Sequence, residues 1–104
     1  MEAPVKFVQI IDFETERMDE MRELVEQAAQ RAAGRTGGPT HRLVLQDRNT
    51  PNRYLVLIEF ESYEDAMRNS NDPETTRMAQ QLAALCTRPP SFIDCDVREM
   101  TELK

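Results

Sequence analysis

Residues 53–70 read RYLVLIEFESYEDAMRNS, and this stretch decides the fold. Tyr54 to Ile58 is an unbroken apolar run rich in β-branched and aromatic types, followed by alternating Glu59, Phe60 and Glu61. A run of this kind is the pattern of a strand covered on both faces. Ser62 ends it. The Ser62 hydroxyl is placed to accept the backbone N–H of Asp65, so a helix is expected to follow at once.

Working outward, residues 4–13 (PVKFVQIIDF) read as a first strand. Phe7, Gln9, Ile11 and Phe13 share one face, and Lys6, Val8, Ile10 and Asp12 share the other. Thr15 is the expected N-cap of a helix to about Ala33, with Met18, Met21, Leu24, Val25, Ala28 and Ala32 as its apolar stripe. Gly34 should end that helix, and Gly37-Gly38-Pro39 should turn the chain. Residues 40–48 form a second strand, joined to the third as a hairpin through Asn49-Thr50-Pro51-Asn52. After the Ser62-capped helix, Asp72-Pro73-Glu74 starts another, which carries Met78, Leu82 and Leu85 and stops before Pro89-Pro90. The last strand spans 91–99.

The order is β-α-β-β-α-β, with the second crossover broken into two helices. Two right-handed crossovers over a four-stranded antiparallel sheet give an α+β, ferredoxin-like fold with its helices on one face. Alternation assigns Tyr54, Val56, Ile58, Phe60, Ile93, Cys95 and Val97 to the helix side. The opposite side is then expected to hold Val8, Ile10, Val44, Leu55 and Leu57 beside Arg42, Glu59, Asp94, Asp96 and Arg98. Each large aliphatic side chain gains roughly 1.5–3 kcal/mol on full burial, so such a face calls for a covering sheet. The simplest cover is a second copy, and a homodimer is expected.

Composition narrows the function classes. With 104 residues and 31% charged side chains, residues 1–104 are expected to form a single domain. The net charge of −6 and the scattered arginines argue against nucleic-acid or anionic-membrane partners. No apolar run approaches the ~20 residues of a membrane span. No secretory signal is visible, and a cytoplasmic location is expected. Cys86 and Cys95 match neither a redox pair nor a metal motif, and read as reduced thiols.

The segment YLVLIEFESYEDAMRNSNDPETTRMAQQL, entered after β-α-β, resembles the dimeric α+β barrel superfamily, which includes antibiotic-biosynthesis-type monooxygenases and haem-degrading enzymes. The shared pattern is an aromatic closing the third strand, then Ser, an acidic-Ala helix start, a Pro and a second helix. This resemblance implies sheets paired face to face as homodimers, and activities that include cofactor-free oxygenation of aromatic polyketides. Haem degradation is not implied here. Met78 stands near the position of the axial His of haem degraders, Asn69 near that of their pocket Trp, and Val8 or Gln9 at that of their first-strand Asn. No cofactor and no metal are expected.

His41 is the only histidine and hence the obvious general base, although its place beside the Gly-Gly-Pro turn suggests an exposed rim. Asp94 and Asp96 lie two apart on a strand and face one way. With Arg42, Arg98 and Glu59 they would either line a polar pocket or form ion pairs that set the dimer register. Gln9, Tyr54, Tyr63 and Asn69 are further pocket candidates. Two functions remain open: a monooxygenase-like enzyme acting on a small aromatic or polyketide-type molecule, or a non-catalytic dimeric module that binds a small ligand or a protein.

Overall fold

The computed structural model describes residues 6–32 and 36–103. Its elements are β1 (Phe7–Glu14), α1 (Met18–Ala32), β2 (His41–Gln46), β3 (Arg53–Phe60), α2 (Tyr63–Ser70), α3 (Pro73–Ala84) and β4 (Ser91–Asp96). The strands form one antiparallel sheet in the order β2-β3-β1-β4, which is the ferredoxin-like arrangement. The helix end expected at Gly34 and the first two residues of the expected first strand lie outside the described residues.

Local signals account for most boundaries. Ser62 adopts extended backbone and accepts the Asp65 N–H at 3.2 Å, stopping β3 and starting α2. Asp72 accepts the Glu74 N–H at 2.9 Å, with Pro73 in the first turn of α3. Thr15 departs from expectation. Helix α1 begins at Met18 rather than at Glu16, because Thr15 is buried in a tertiary tie. Its hydroxyl donates to the Leu85 carbonyl at 2.6 Å and accepts the Arg17 N–H at 3.0 Å, and its own N–H reaches the Asn52 carbonyl. One threonine thereby fastens the end of β1 to the end of α3 and to the β2–β3 turn.

The core lies between the sheet and the helices. Phe13, Ile11 and Val56 pack with Met21 of α1 and Leu82 of α3, while Phe7 and Phe60 pack with Ala66 of α2. Tyr54 stacks on Phe13 at 5.8 Å between ring centroids. Tyr63 is half exposed on α2 and meets the Phe7 ring edge-on.

The pairing register corrects the faces of both edge strands. Directly opposed residues share a face. Arg42 and Val44 oppose Ile58 and Val56, so they lie on the helix side and not on the open side. Asp94 and Asp96 oppose Gln9 and Phe7, again on the helix side, while Ile93 and Cys95 oppose Ile10 and Val8 on the open side. Val97 and Arg98 fall beyond the end of β4. The reason is that alternation sorts a strand into two sets without saying which set meets the helices. Here the more apolar set of β4 belongs to the uncovered face.

That face is therefore more apolar than expected. Val8, Ile10, Leu55, Leu57, Ile93 and Cys95 join Leu43 and Leu45 across its middle, with Leu43 54% and Ile93 47% exposed. Charges sit at its two ends. At one, Glu59 is met by Lys6 at 3.5 Å and His41 at 3.1 Å. Burial opposes ionisation of Glu59, but the Thr40 hydroxyl, His41 and Lys6 together hold its carboxyl below the usual range. At the other, Arg53 binds Asp12 at 2.7 Å and Asp47 at 3.1 Å.

Two outcomes follow. Gly37 has φ +79°, and a Cβ there would also meet the Arg68–Asp65 pair of α2 at 3.1 Å. Gly37→Ala should cost on the order of 1–2 kcal/mol in equilibrium urea unfolding, the usual penalty for an L-residue in left-handed backbone. The hydrogen-bonded Arg53 guanidinium lowers the Asp12 carboxyl below its ordinary value. A depressed carboxylate adds stability that is complete above the unfolded value of about 3.9 and is lost as pH falls through the folded one. Stability measured at pH 7 and pH 3 should thus fall more for the wild type than for Asp12→Asn.

Candidate functional site

On the helix side, the β2–β3 half of the sheet and α1 border an open cleft of about 320 Å³. Its floor is Val44, Val56 and Tyr54, and its wall is Met18, Arg22, Val25 and Glu26 of α1. Those four wall positions fall at i, i+4, i+7 and i+8, so a single helix face supplies them. Arg42 and Gln46 complete the lining from β2. The volume is at the lower end of the ~300–1,000 Å³ typical of small-molecule sites.

The polar groups are held in defined poses. Arg42 spans from sheet to helix, donating to the Val25 carbonyl at 2.8 Å and to Glu26 Oε1 at 3.1 Å. It satisfies a backbone acceptor and engages the carboxylate of the wall at once. Gln46 Nε2 donates to the Pro51 carbonyl at 2.9 Å and lies 3.4 Å from the Tyr54 hydroxyl. The Tyr54 ring is clamped against Phe13, which fixes where its hydroxyl points. Arg22 makes no ion pair among the described residues. The result is an apolar floor with oriented N–H and O–H donors at its sides.

The residues expected to share a polar pocket are dispersed. Arg42 is in the cleft, but Glu59 is on the other side of the sheet and Asp94 and Asp96 are on the far edge strand. Gln9 donates to Asp94 Oδ1 at 3.2 Å, away from the cleft, and Arg98 is exposed beyond β4. His41 is on the open side with 76% of its side chain exposed, bound to Glu59 at the rim. Asn69 is half-buried on α2 and is not among the cleft residues. Leu55 and Leu57 are on the open face, as expected. Of the pocket candidates, Arg42 and Tyr54 meet in the cleft.

Arg22, Glu26 and Gln46 were not singled out from the sequence. The signal available was Arg42-x-Val44-x-Gln46, two polar ends around an apolar centre on one strand face, opposite a helix face that mixes Met18 and Val25 with Arg22 and Glu26. Cys86 donates to the Leu82 carbonyl, and its burial pushes the thiol pKa up, so it is an inert packing residue. Among the described residues, no group of three or more His, Cys, Asp or Glu is placed to hold a metal ion.

No family model matches this sequence, and no curated protein does so either. Solved structures do match. SnoaB, a cofactor-independent oxygenase from Streptomyces nogalater, superposes with a TM-score of 0.77 at 18% identity, over 92% of this chain and 96% of that one. A candidate antibiotic biosynthesis monooxygenase from Deinococcus radiodurans gives 0.77 at 16% identity, over 94% and 98%. A dimeric ferredoxin-like protein of unknown function from Jannaschia sp. gives 0.74 at 18% identity, over 88% and 99%. Identities this low speak for the fold and not for the chemistry. The chain thus has the ferredoxin-like α+β fold found in the antibiotic-biosynthesis-monooxygenase structures.

Proposed function

We propose that the cleft between α1 and the β2–β3 half of the sheet binds a small, flat, largely apolar molecule, and that the protein acts on it as a cofactor-free, monooxygenase-like enzyme. The observation that carries this reading is the pairing of an apolar floor, Val44, Val56 and Tyr54, with fixed donors at its sides, Arg42 and the Tyr54 hydroxyl. The likeness in fold to a cofactor-independent oxygenase supports the same reading.

In such chemistry the substrate itself reduces oxygen. Loss of a proton to solvent water from an activated CH₂ leaves a carbanion, whose charge spreads onto neighbouring oxygens. It passes an electron to O₂, and recombination of the two radicals forms a C–O–O⁻ bond. Protonation, followed by loss of water with the remaining C–H proton, leaves a carbonyl. The balance is CH₂ plus O₂ to C=O plus H₂O. Arg42 and Tyr54 would stabilise the developing oxyanion from the cleft walls.

A second reading has its own support. Glu26 is the single carboxylate among the lining residues, and Arg42 engages it. With His41 across the sheet, no free general base faces the cleft among the described residues, which favours a module that binds and does no chemistry. A hydroxylated anthrone serves as probe, with fluorescence quenching for binding and an oxygen electrode for turnover. The enzyme reading expects one O₂ consumed per quinone formed, faster than without protein. It also expects a loss of at least about tenfold in affinity for Val44→Trp, which fills the cleft; tenfold corresponds to about 1.4 kcal/mol. Binding without faster oxygen uptake selects the second reading, and no binding of anthrones or related flat aromatics defeats both.

The open sheet face is assigned to a second copy of the chain. An apolar centre with charged ends has the layout of a homodimer interface, and the dimeric description of one similar structure supports it. Leu57→Lys places an unpaired charge in that centre and should give monomer or aggregate by light scattering. A stable wild-type monomer at micromolar concentration would refute the assignment.

A further inference from the structure

The cleft's charges are unevenly spent. Glu26, its one acidic group, is engaged by Arg42 at 3.1 Å. Gln46 Nε2 is directed to the Pro51 carbonyl and the Tyr54 oxygen, which leaves the Tyr54 proton available for donation. Arg22 projects from the α1 wall with no ion pair among the described residues, one turn before Glu26, whose carboxylate is turned to Arg42 instead. What remains around the apolar floor is one uncompensated guanidinium and one free phenolic donor. This local excess of positive charge sits in a chain whose net charge is −6. A neutral apolar ligand would use none of that capacity.

Building on the cleft-binding reading above, we infer that the natural ligand is an anion: a flat aromatic body lying on Val44 and Val56, with a carboxylate or equally acidic oxygen paired to Arg22. A planar guanidinium offers two parallel N–H bonds to a carboxylate, which an amide of the same shape cannot match. Toward this carboxylate, Arg42 acts only as a positioning residue. By occupying Glu26 it keeps that side chain away from Arg22 and the guanidinium open to ligand. Tyr54 supplies the second donor, at the Gln46 side of the cleft.

The test compares 1-hydroxy-2-naphthoic acid with its carboxamide by titration calorimetry at low and high salt. The acid should bind at least about tenfold more tightly, and its advantage should shrink as salt screens the pair. Arg22→Gln, at an exposed helix position, should retain the wild-type melting temperature and erase the preference while leaving carboxamide affinity within about twofold. Arg22→Lys should restore part of it. Equal affinity of acid and amide for the wild type, or a preference that survives in Arg22→Gln, overturns the anion assignment and leaves the cleft as a binding site. Failure of both probes to bind overturns the assignment together with the reading it rests on.

Discussion

A single layer of helices serving a sheet that is apolar on both sides is the constraint from which the remaining features follow. β3 presents Tyr54, Val56, Ile58 and Phe60 to the helices and Leu55 and Leu57 to the opposite side. The chain has helices enough for one face only, and they pack around Phe13, Phe60 and Met21. Leaving several large aliphatic groups in water forfeits roughly 1.5–3 kcal/mol each. The second copy proposed for the open face would recover that loss, with the ion-paired ends as a polar rim.

The same shortage of helices produces the cleft. α1 and α3 converge on the β1–β3 centre, where Met21 and Leu82 close the core. Edge strand β2 lies outside that convergence, and all six of its residues are exposed. Between the outer flank of α1 and Val44 the space is bridged by the long Arg42 side chain and not filled by packing. A polar strut across an apolar gap holds two walls apart while satisfying a backbone carbonyl, and so leaves a site where a ligand body fits. Thr15 ties the end of β1 to the end of α3 and to the β2–β3 turn through two hydrogen bonds.

Charge is placed to match. Carboxylates on the open side are paired at short range at the two ends of the sheet, Glu59 with Lys6 and His41 at one and Asp12 and Asp47 with Arg53 at the other. On the helix side, Asp94 and Asp96 lie at the β4 edge while Arg22 and Arg42 lie at the opposite flank. An acidic chain thus carries a basic cleft at this flank, and the sheet separates that cleft from its sole histidine.

The order of elements, the caps at Ser62 and Asp72 and the two-faced character of β3 were all legible in the sequence. Each depends on spacing between neighbours along the chain, which periodicity reports directly. The faces of β2 and β4 were not. Alternation divides an edge strand into two sets, and only its register against β3 or β1 says which set meets the helices. Arg42, Val44, Asp94 and Asp96 were misplaced for that reason. The cleft was equally out of reach, since it joins one face of α1 to one face of β2 and β3 across 16 to 17 residues of chain, through hydrogen bonds that no local pattern encodes. Short-range spacing determined the parts, and long-range register decided which of them share a site.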